Sequence, residues 1–365
     1  MINEKIAQAV INSIENEYQL DIHSNNLLKN RFITFRPYTQ KKPSFYLCLL
    51  SRIKALFVLF FSFCFPLFSV FIRVKYTKQS SSDELAFICS EKGEQLLISG
   101  NKSINIISTL RQSSGTRIKL PTKLYFTYLY IIAKFFVRYR KDIWFYPQLL
   151  LIPELVATSN FLVKNRPSKV FICNHYDRWA YLFSFFAELE YYKLELTQHG
   201  VVTKEFKPKR KLKKVHKLIC FDNIQLGIFD QYIIDKNDEF DIKKPLINLT
   251  AINQILSFLI VGHGNDNIVS LECEVIKKIC ESVKSENFVI YVKPHPAFDK
   301  LKFYMKLVNK KVDIISKKDF FPKVNYVLHS GSTLAKEYEY SDSEVFTVDI
   351  TSSEQLNLLL KRITD

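Results

Sequence analysis

Short apolar runs alternate with helix-like stretches through most of the chain after residue 165. The strand-like runs lie at residues 168–173, 193–197, 255–261, 287–292 and 324–328. Helical patterns follow three of these runs, at residues 180–191, 271–285 and 334–340. Apolar strands that alternate with helices are typical of parallel sheets covered on both faces. The pattern therefore predicts an α/β fold.

The amino-terminal part of the chain has a different pattern. A first helix is predicted over residues 3–16, because Ile6, Val10 and Ile14 share one helical face. Residues 55–72 then form a run of eighteen residues without a charge, with basic residues on both sides and Pro66 inside it. Such a run is compatible with a membrane span, an in-plane anchor or a buried helix. The aromatic and basic stretch 124–140 is either a second membrane-facing helix or an ordinary core helix.

The Asp- and Lys-rich stretch 235–245 is the best candidate for a linker between two domains. It is strongly charged and lies between the two groups of predicted strands and helices. Asp235 and Asp238 resemble a metal-binding pair only loosely, and lysines lie beside them. We therefore expect an amino-terminal domain over residues 1–245 and a carboxy-terminal domain over residues 246–365, with no metal bound between them.

Composition narrows the class of protein. The chain has 365 residues, 47% of them hydrophobic, so it can bury a sizeable core. Its seven cysteines have irregular spacings without a CxxC pair, which favours free thiols in a reducing compartment. The first residues lack the basic start and apolar centre of a signal peptide. These features predict a cytosol-facing protein without disulfides or structural zinc.

Charge widens the range of partners. The formal net charge is +16, which favours nucleic acid, an anionic membrane surface or an anionic substrate. Residues 207–214 hold six basic residues in eight, suited to phosphates or lipid headgroups, or simply to a solvated loop. Most of the aromatic residues lie in aliphatic runs rather than between basic ones, and no nucleic-acid motif is present. We therefore expect no nucleic-acid partner.

The few glycines mark candidate binding loops. Only eight glycines are present, and Gly200, Gly262, Gly264 and Gly331 each follow a predicted strand. Ligands of parallel sheets bind beyond the carboxyl ends of the strands, where helix amino termini suit phosphates. The segment Ser330, Gly331, Ser332 and Thr333 combines hydroxyls, a glycine and a helix start, which indicates an anion-binding loop or a plain helix cap.

Other polar residues add candidate chemistry. His295 lies between two prolines in the sequence Lys293-Pro-His-Pro296, which hold the imidazole in a fixed place. It is a candidate donor to a phosphate or a structural histidine. Glu337, one turn into the following helix, is placed to accept from ribose hydroxyls or to complement the helix dipole. Asp177 and His199 follow consecutive strands, and either is a candidate base, although Asp177 is also a candidate turn cap or partner of Arg178.

The pairing of KPHP at 293–296 with HSGSTLAKEYEY at 329–340, preceded by TQHG at 197–200, resembles bacterial polysaccharide glycosyltransferases of the GT-B fold. The CMP-sugar users of capsule and lipooligosaccharide synthesis, namely sialyl-, polysialyl- and Kdo-transferases, are the most similar. The resemblance implies two facing Rossmann-like domains, with the acceptor on the amino-terminal and the nucleotide on the carboxy-terminal one. It assigns His295, Ser330, Ser332 and Thr333 to the donor site. It covers about residues 255–350 and short patches at 170–202.

This resemblance leads to a specific expectation of function. We expect metal-independent transfer of a CMP-activated 2-keto acid sugar, such as sialic acid or Kdo, to a cell-surface glycan or glycolipid, without a cofactor. The apolar and basic first half fits an anionic inner-membrane surface, on the cytoplasmic face. The acidic motif that supplies the base in sialyl families is absent, so the base stays open between Asp177 and His199.

Two alternatives from other classes remain. The motif pair also resembles polymerases that transfer glycerol phosphate from CDP-glycerol, in which a histidine before a glycine, here His199, is implicated in deprotonating the acceptor. A non-catalytic membrane-associated scaffold would keep the apolar segment without nucleotide binding, but it predicts an eroded Ser-Gly-Ser-Thr loop, which this sequence does not have.

Overall fold

The computed structural model describes residues 2–23, 53, 60, 72–79, 81–98, 104–110, 113–139, 149, 151–202, 208, 210–252, 256–284, 287–295, 301–316 and 320–364. The chain divides into two compact units, Met1–Lys243 and Lys244–Asp365. Each unit has its own sheet, and most described strands in both are parallel.

The first unit contains an eight-stranded sheet. Its strands are β1 Lys75–Thr77, β2 Leu85–Ile88, β3 Asn105–Ser108, β4 Thr116–Arg117, β5 Lys169–Ile172, β6 Lys193–Thr197, β7 Val215–Cys220 and β8 Asn237–Ile242. They lie in the order β4-β1-β3-β2-β5-β6-β7-β8, and the six from β3 to β8 are parallel. Since β3 and β5 flank β2 on opposite sides, the strand order reverses between β2 and β5, where ligands of such sheets bind.

Helices cover both faces of this sheet. They are α1 Glu4–His23, α2 Glu91–Ile98, α3 Tyr125–Tyr139, α4 Ile152–Asn165, α5 Arg178–Glu188 and α6 Asn223–Ile228. Helix α1 packs against α3, α4 and α5, and buried Leu85 and Phe87 face this layer. Ala86, between them on β2, packs with Leu97 of α2. The apolar runs of the sequence are continuous because consecutive residues are buried on opposite faces.

The second unit contains a five-stranded parallel sheet. Its strands are β9 Leu256–Val261, β10 Phe288–Lys293, β11 Val312–Ile314, β12 Tyr326–His329 and β13 Phe346–Asp349, in the order β11-β10-β9-β12-β13. Its helices are α7 Asp266–Ser282, α8 Leu301–Met305, α9 Thr333–Ser341 and α10 Ser353–Thr364. The chain starts at the central strand, builds one side and crosses to the other, so the order reverses between β9 and β12.

Packing in the second unit also alternates along each strand. Phe258 and Ile260 of β9 belong to the core beneath α7 and α10. Leu259 and Val261, the intervening residues, belong to the core that contains Tyr338 of α9. A strand buried on both faces has no polar face, which accounts for its uniform apolarity.

The predicted α/β class is confirmed, and most predicted elements after residue 165 are present within a few residues of their expected limits. The interpretation of residues 235–245 as a linker is wrong at its centre, because β8 spans Asn237–Ile242 and pairs with β7. The first helix extends to His23, beyond the expected end at residue 16.

Residues 55–72, apart from Phe60 and Ile72, lie outside the described residues. Within the described part of the chain, no helix is both long enough and apolar enough to cross a membrane. The stretch predicted at 124–140 is helix α3, whose Tyr128, Ile131 and Phe135 face the core.

Candidate active site

Polar side chains gather at the carboxyl ends of β2, β5 and β6 in the first unit. Cys89 follows β2, Asn174 lies two residues past β5, and His199 lies two residues past β6. The Asn174 side-chain amide contacts the Cys89 sulfur at 3.0 Å, which links the ends of the two strands at the point where the order reverses. Burial raises the pKa of the Cys89 thiol to about 12, so it is a polar contact rather than a nucleophile.

Asp177 is held on both of its carboxylate oxygens. It is the N-cap of α5, where Oδ1 accepts a hydrogen bond from the Ala180 backbone amide at 2.9 Å. Oδ2 accepts from the side-chain amide of Asn174. Burial raises the pKa of this carboxyl, and these hydrogen bonds oppose the rise. Asp177 is therefore a helix cap, and both of its carboxylate oxygens accept hydrogen bonds.

Arg178, the residue after Asp177, pairs with a carboxylate of the first helix. Its guanidinium forms an ion pair with Glu17 of α1, and the side chains are 11% and 9% exposed. Burial raises the pKa of Glu17, with the Arg178 charge opposing it. This pair joins the start of α5 to α1.

His199 has the hydrogen bond expected of a positioned base. Its Nδ1 contacts the backbone carbonyl oxygen of Cys173. A carbonyl oxygen can only accept, so Nδ1 carries the proton and Nε2 carries the lone pair of the neutral ring. The buried ring of His175 packs against the His199 ring, with the two ring centroids 4.7 Å apart.

In the second unit, the loops after β9, β10 and β12 contain the predicted donor-site residues. By register, Lys293 at the end of β10 lies beside Val261 at the end of β9. His329 is the last residue of β12, and Leu328 before it pairs with Ile260. Gly262 and the segment 330–333 therefore follow adjacent strands at the reversal point between β9 and β12.

The loop after β12 combines a glycine in the left-handed region with the capped start of α9. Gly331 has a φ of +79°, and a Cβ added there would meet no atom within 4 Å. Ser332 is the N-cap of α9, with its hydroxyl accepting from the Leu334 amide at 3.2 Å, and Thr333 begins the helix. The hydroxyl oxygen of Ser330 is buried without a hydrogen-bond partner among the described residues.

Gly262 is required by a close approach of backbone and side chain. A Cβ at this position would lie 2.9 Å from the Tyr304 hydroxyl and 3.0 Å from Pro294 Cα. The Tyr304 hydroxyl in turn donates to the carboxylate of Glu272, which is fully buried on α7. Burial raises the pKa of Glu272 to about 7. Neither Glu272 nor Tyr304 was predicted, since their sequence positions look like ordinary helix positions.

The remaining predicted donor-site residues have distinct environments. The Lys293 ammonium donates to the Phe320 carbonyl at 3.0 Å and lies 4.4 Å from the centre of the Phe321 ring. Its charge is thus directed toward the 320–321 segment. His295 is partly buried two residues past β10, and Glu337 is 7% exposed within α9.

The described part of the basic run 207–214 is largely paired. Lys213 lies 3.9 Å from Asp235, and Lys214 forms an ion pair with Asp238 of β8. Lys211 donates to the Asp230 carbonyl at 3.1 Å. These contacts favour the interpretation of this segment as a solvated, internally neutralised surface. Lys207 and Lys209 lie outside the described residues.

Within the residues that the structure describes, no group of three or more His, Cys, Asp or Glu side chains is arranged to hold a metal ion. No role was predicted for His263 or His329, although each lies at the end of an apolar strand run and precedes a glycine by one or two positions. That spacing was the available signal for both.

No protein-family model matches the chain, and no curated protein matches it. Solved structures are similar at low identity, and three of them illustrate the range. UDP-GlcNAc 2-epimerase from Methanocaldococcus jannaschii is 12% identical, with 77% of this chain and 93% of that chain covered at a TM-score of 0.41. A glycosyltransferase from Rickettsia africae ESF-5 is 14% identical, with 78% and 88% covered at 0.41. A GtfA/B complex is 10% identical, with 57% and 52% covered at 0.35. TM-scores below 0.5 assign neither a fold family nor an activity to this chain.

Proposed function

We propose that the chain is a glycosyltransferase of GT-B architecture that uses a nucleotide-activated sugar. The observation that carries the proposal is the placement of the motif residues. Gly262, His295 and the segment 330–333 all follow the carboxyl ends of adjacent parallel strands, around the point where strand order reverses. Nucleotides bind at such points because loop amides and helix amino termini meet there.

The finer proposal is that the donor is a CMP-activated 2-keto acid sugar and that transfer needs no metal. It rests on the resemblance of the KPHP and HSGST motifs. Hydrogen-bond donors for the charge that develops on the leaving phosphate would come from the buried Ser330 hydroxyl and from the start of α9. The open space beside Gly331 leaves room for that phosphate. The acceptor would be a glycan or glycolipid.

We propose His199 as the base that deprotonates the acceptor hydroxyl. Its Nδ1 donates to the Cys173 carbonyl, so the lone pair that can accept a proton is on Nε2 of the neutral ring. Asp177 is the less suitable candidate, because one oxygen caps α5 and the other binds Asn174.

The same His199 geometry favours a second candidate, a polyol phosphotransferase that uses CDP-glycerol. Both reactions require a hydroxyl to be deprotonated and a cytidine phosphate to leave, so the two donors must be compared directly. A thermal-shift titration with CMP, CDP, UDP and GDP, each with and without magnesium, tests nucleotide binding first. Transfer assays with CMP-sialic acid, CMP-Kdo and CDP-glycerol then separate the two activities.

We expect His199→Ala to lower the transfer rate by about 10²- to 10⁴-fold while nucleotide affinity stays unchanged. Asp177→Asn is the matched control, since Asn also caps helices and the variant should keep most of the rate. Loss of activity in Asp177→Asn with activity kept in His199→Ala would assign the base to Asp177. No thermal shift with any nucleotide would exclude the proposal and favour a scaffold.

Association with an anionic membrane surface is a separate proposal. Helix α3 has an outward apolar stripe that includes Phe126 and Val137, which are 60% and 72% exposed, and Lys134 lies next to it. The sequence from 115 to 141 contains seven basic residues and no acidic one. Apolar and basic groups on one surface suit anionic lipid. Cosedimentation with phosphatidylglycerol vesicles should fall in Phe126→Ser/Val137→Ser, and unchanged binding would contradict a role for α3.

A further inference from the structure

Three of the seven histidines of the chain lie at the carboxyl ends of strands in the second sheet. His295 lies two residues past β10, His263 lies two residues past β9, and His329 ends β12. These strands are adjacent in the order β10-β9-β12. The three histidines lie at the carboxyl ends of these strands, and the strand order reverses between β9 and β12. Their loops therefore border the crevice in which parallel sheets bind ligands.

His263 and His329 share one hydrogen-bond arrangement. Nδ1 of His263 accepts from the backbone amide of Asn265 at 3.0 Å. Nδ1 of His329 accepts from the backbone amide of Gly331, also at 3.0 Å. A backbone amide can only donate, so Nδ1 is unprotonated in both rings. Each neutral ring therefore carries its proton on Nε2 and presents it as a hydrogen-bond donor.

The surroundings of His329 keep the ring in this state. Burial lowers its pKa, and the nearby carboxylates of Asp349 and Glu339 oppose the change. Protonation of Nδ1 would also remove the acceptor on which the Gly331 amide depends. The Gly331 amide therefore fixes the His329 proton on Nε2 and sets the direction of that N–H group.

Separate features of the same loop point to an anionic ligand. The Ser330 hydroxyl oxygen is buried and has no hydrogen-bond partner in the described part of the chain. Gly331 adopts positive φ, and the space beside its Cα is open. A buried hydroxyl and oriented N–H groups without a covering side chain are features of a phosphate site.

We propose that His263 and His329 bind a phosphate group between them through their Nε2–H groups. The inference rests on the proposed function in one respect, namely that the phosphate belongs to a nucleotide. It goes beyond the motif resemblance, which assigned His295 and the hydroxyl residues but neither of these histidines. Both are binding residues, and neither transfers a proton.

The test uses a substitution that separates the two ring nitrogens. In His263→Asn and His329→Asn, the side-chain oxygen can replace Nδ1 and keep the loop hydrogen bond, whereas the Nε2 donor is lost. His216→Asn is the matched control, because Nδ1 of His216 also accepts a backbone amide, that of Leu194 at 3.1 Å, on β7 of the first unit. Calorimetric titration of the full chain with CMP, cytidine and inorganic pyrophosphate is the measurement.

We expect each Asn variant of the pair to lose about tenfold or more in affinity for CMP and pyrophosphate, with the affinity for cytidine unchanged. His216→Asn should match the wild-type protein for all three ligands. Binding of CMP and pyrophosphate by both Asn variants at wild-type strength would overturn the proposal. An equal loss for cytidine would also overturn it, since that result indicates a displaced loop.

Nitrogen NMR of the wild-type histidine rings covers the case in which a variant does not fold. The Nε2–H signals of His263 and His329 should shift on addition of pyrophosphate, while that of His216 should not, and the absence of any shift would overturn the pair. Pyrophosphate binding without binding of any nucleotide would support the pair and reject the proposed function. Sugar transfer by variants with unchanged affinity would reject the pair and leave the function standing.

Discussion

Two glycines at the reversal point of the second sheet are needed for different physical reasons. Gly262 is needed for space, because Tyr304, Pro294 and Lys293 crowd the position that a Cβ would take. Gly331 is needed for its backbone angle, because the surrounding space is open and φ is +79°. These reasons predict different responses to substitution.

Gly262→Ala should lower the free energy of unfolding by about 1–3 kcal/mol, since backbone atoms of β10 cannot move away readily. Gly331→Ala should cost about 1–2 kcal/mol through the left-handed backbone alone. Gly331→Asn should cost less than Gly331→Ala, because Asn tolerates this region, whereas Gly262→Asn should be worse than Gly262→Ala. Urea unfolding of the four variants measures this, and equal effects of Ala and Asn at Gly331 would contradict the explanation.

The sequence indicated which residues lie at the strand ends but not what each one binds. Asp177 was a candidate for catalysis or capping, Ser332 was a candidate for anion binding or capping, and both are N-caps. The protonated nitrogen of His199, and of His329, is set by a backbone group in the folded chain. The sequence contains no information on the direction of that backbone group, so the protonated nitrogen of each ring can be assigned only in the folded chain.

At the scale of elements, prediction succeeded where apolar side chains are buried on a strand or helix face. Strand β6 spans the predicted residues, Lys193–Thr197, and β9 differs by one residue. Strand β8 was missed because it lies at the edge of the sheet, with five of its six residues exposed. Its pairing depends on backbone hydrogen bonds and on ion pairs such as Lys214 with Asp238. Neither interaction leaves a hydrophobic pattern in the sequence.

The contact between α7 and α8 predicts a pH-dependent stability. Burial raises the pKa of Glu272 from 4.5 to about 7. Between these values the unfolded chain has released a proton that the folded chain keeps, so stability falls as pH rises through this window and is constant above it. The decrease for this group is about 3 kcal/mol.

Glu272→Gln removes the titration and keeps a hydrogen-bonding group beside Tyr304. We therefore expect the stability of the variant relative to the wild-type protein to increase from pH 4.5 to pH 7. Urea unfolding at several pH values measures the difference. A constant difference over this range would show that Glu272 is ionised in the folded chain.

At the scale of the whole molecule, each compact unit contains a complete sheet. Among the described residues, the five strands of the second unit pair with one another, and the cores of this unit lie within residues 244–365. The sequence predicted this α/β organisation from repeated strand and helix patterns. The topology of the first four strands was not predicted, because they are short and lie among polar residues.

A fragment of residues 244–365 should fold by itself, since the described unit buries its apolar strands without residues from the first unit. Circular dichroism should show mixed helix and strand, and urea should unfold the fragment in one cooperative transition. Glu272→Gln within the fragment should reproduce the pH effect seen in the full chain. A fragment that is unfolded, or that lacks a cooperative transition, would show that the second unit depends on the first.

The exposed strand β8 also affects how copies of the chain behave in concentrated solution. An edge strand offers unpaired backbone groups to the edge of another molecule, which is a common route to aggregation. On β8, Asp238, Glu239 and Asp241 are exposed along that edge. Asp238 and Asp241 form ion pairs with Lys214 and Lys217. A second edge could pair with β8 only by removing water from these charged side chains, so the stretch opposes strand-to-strand association.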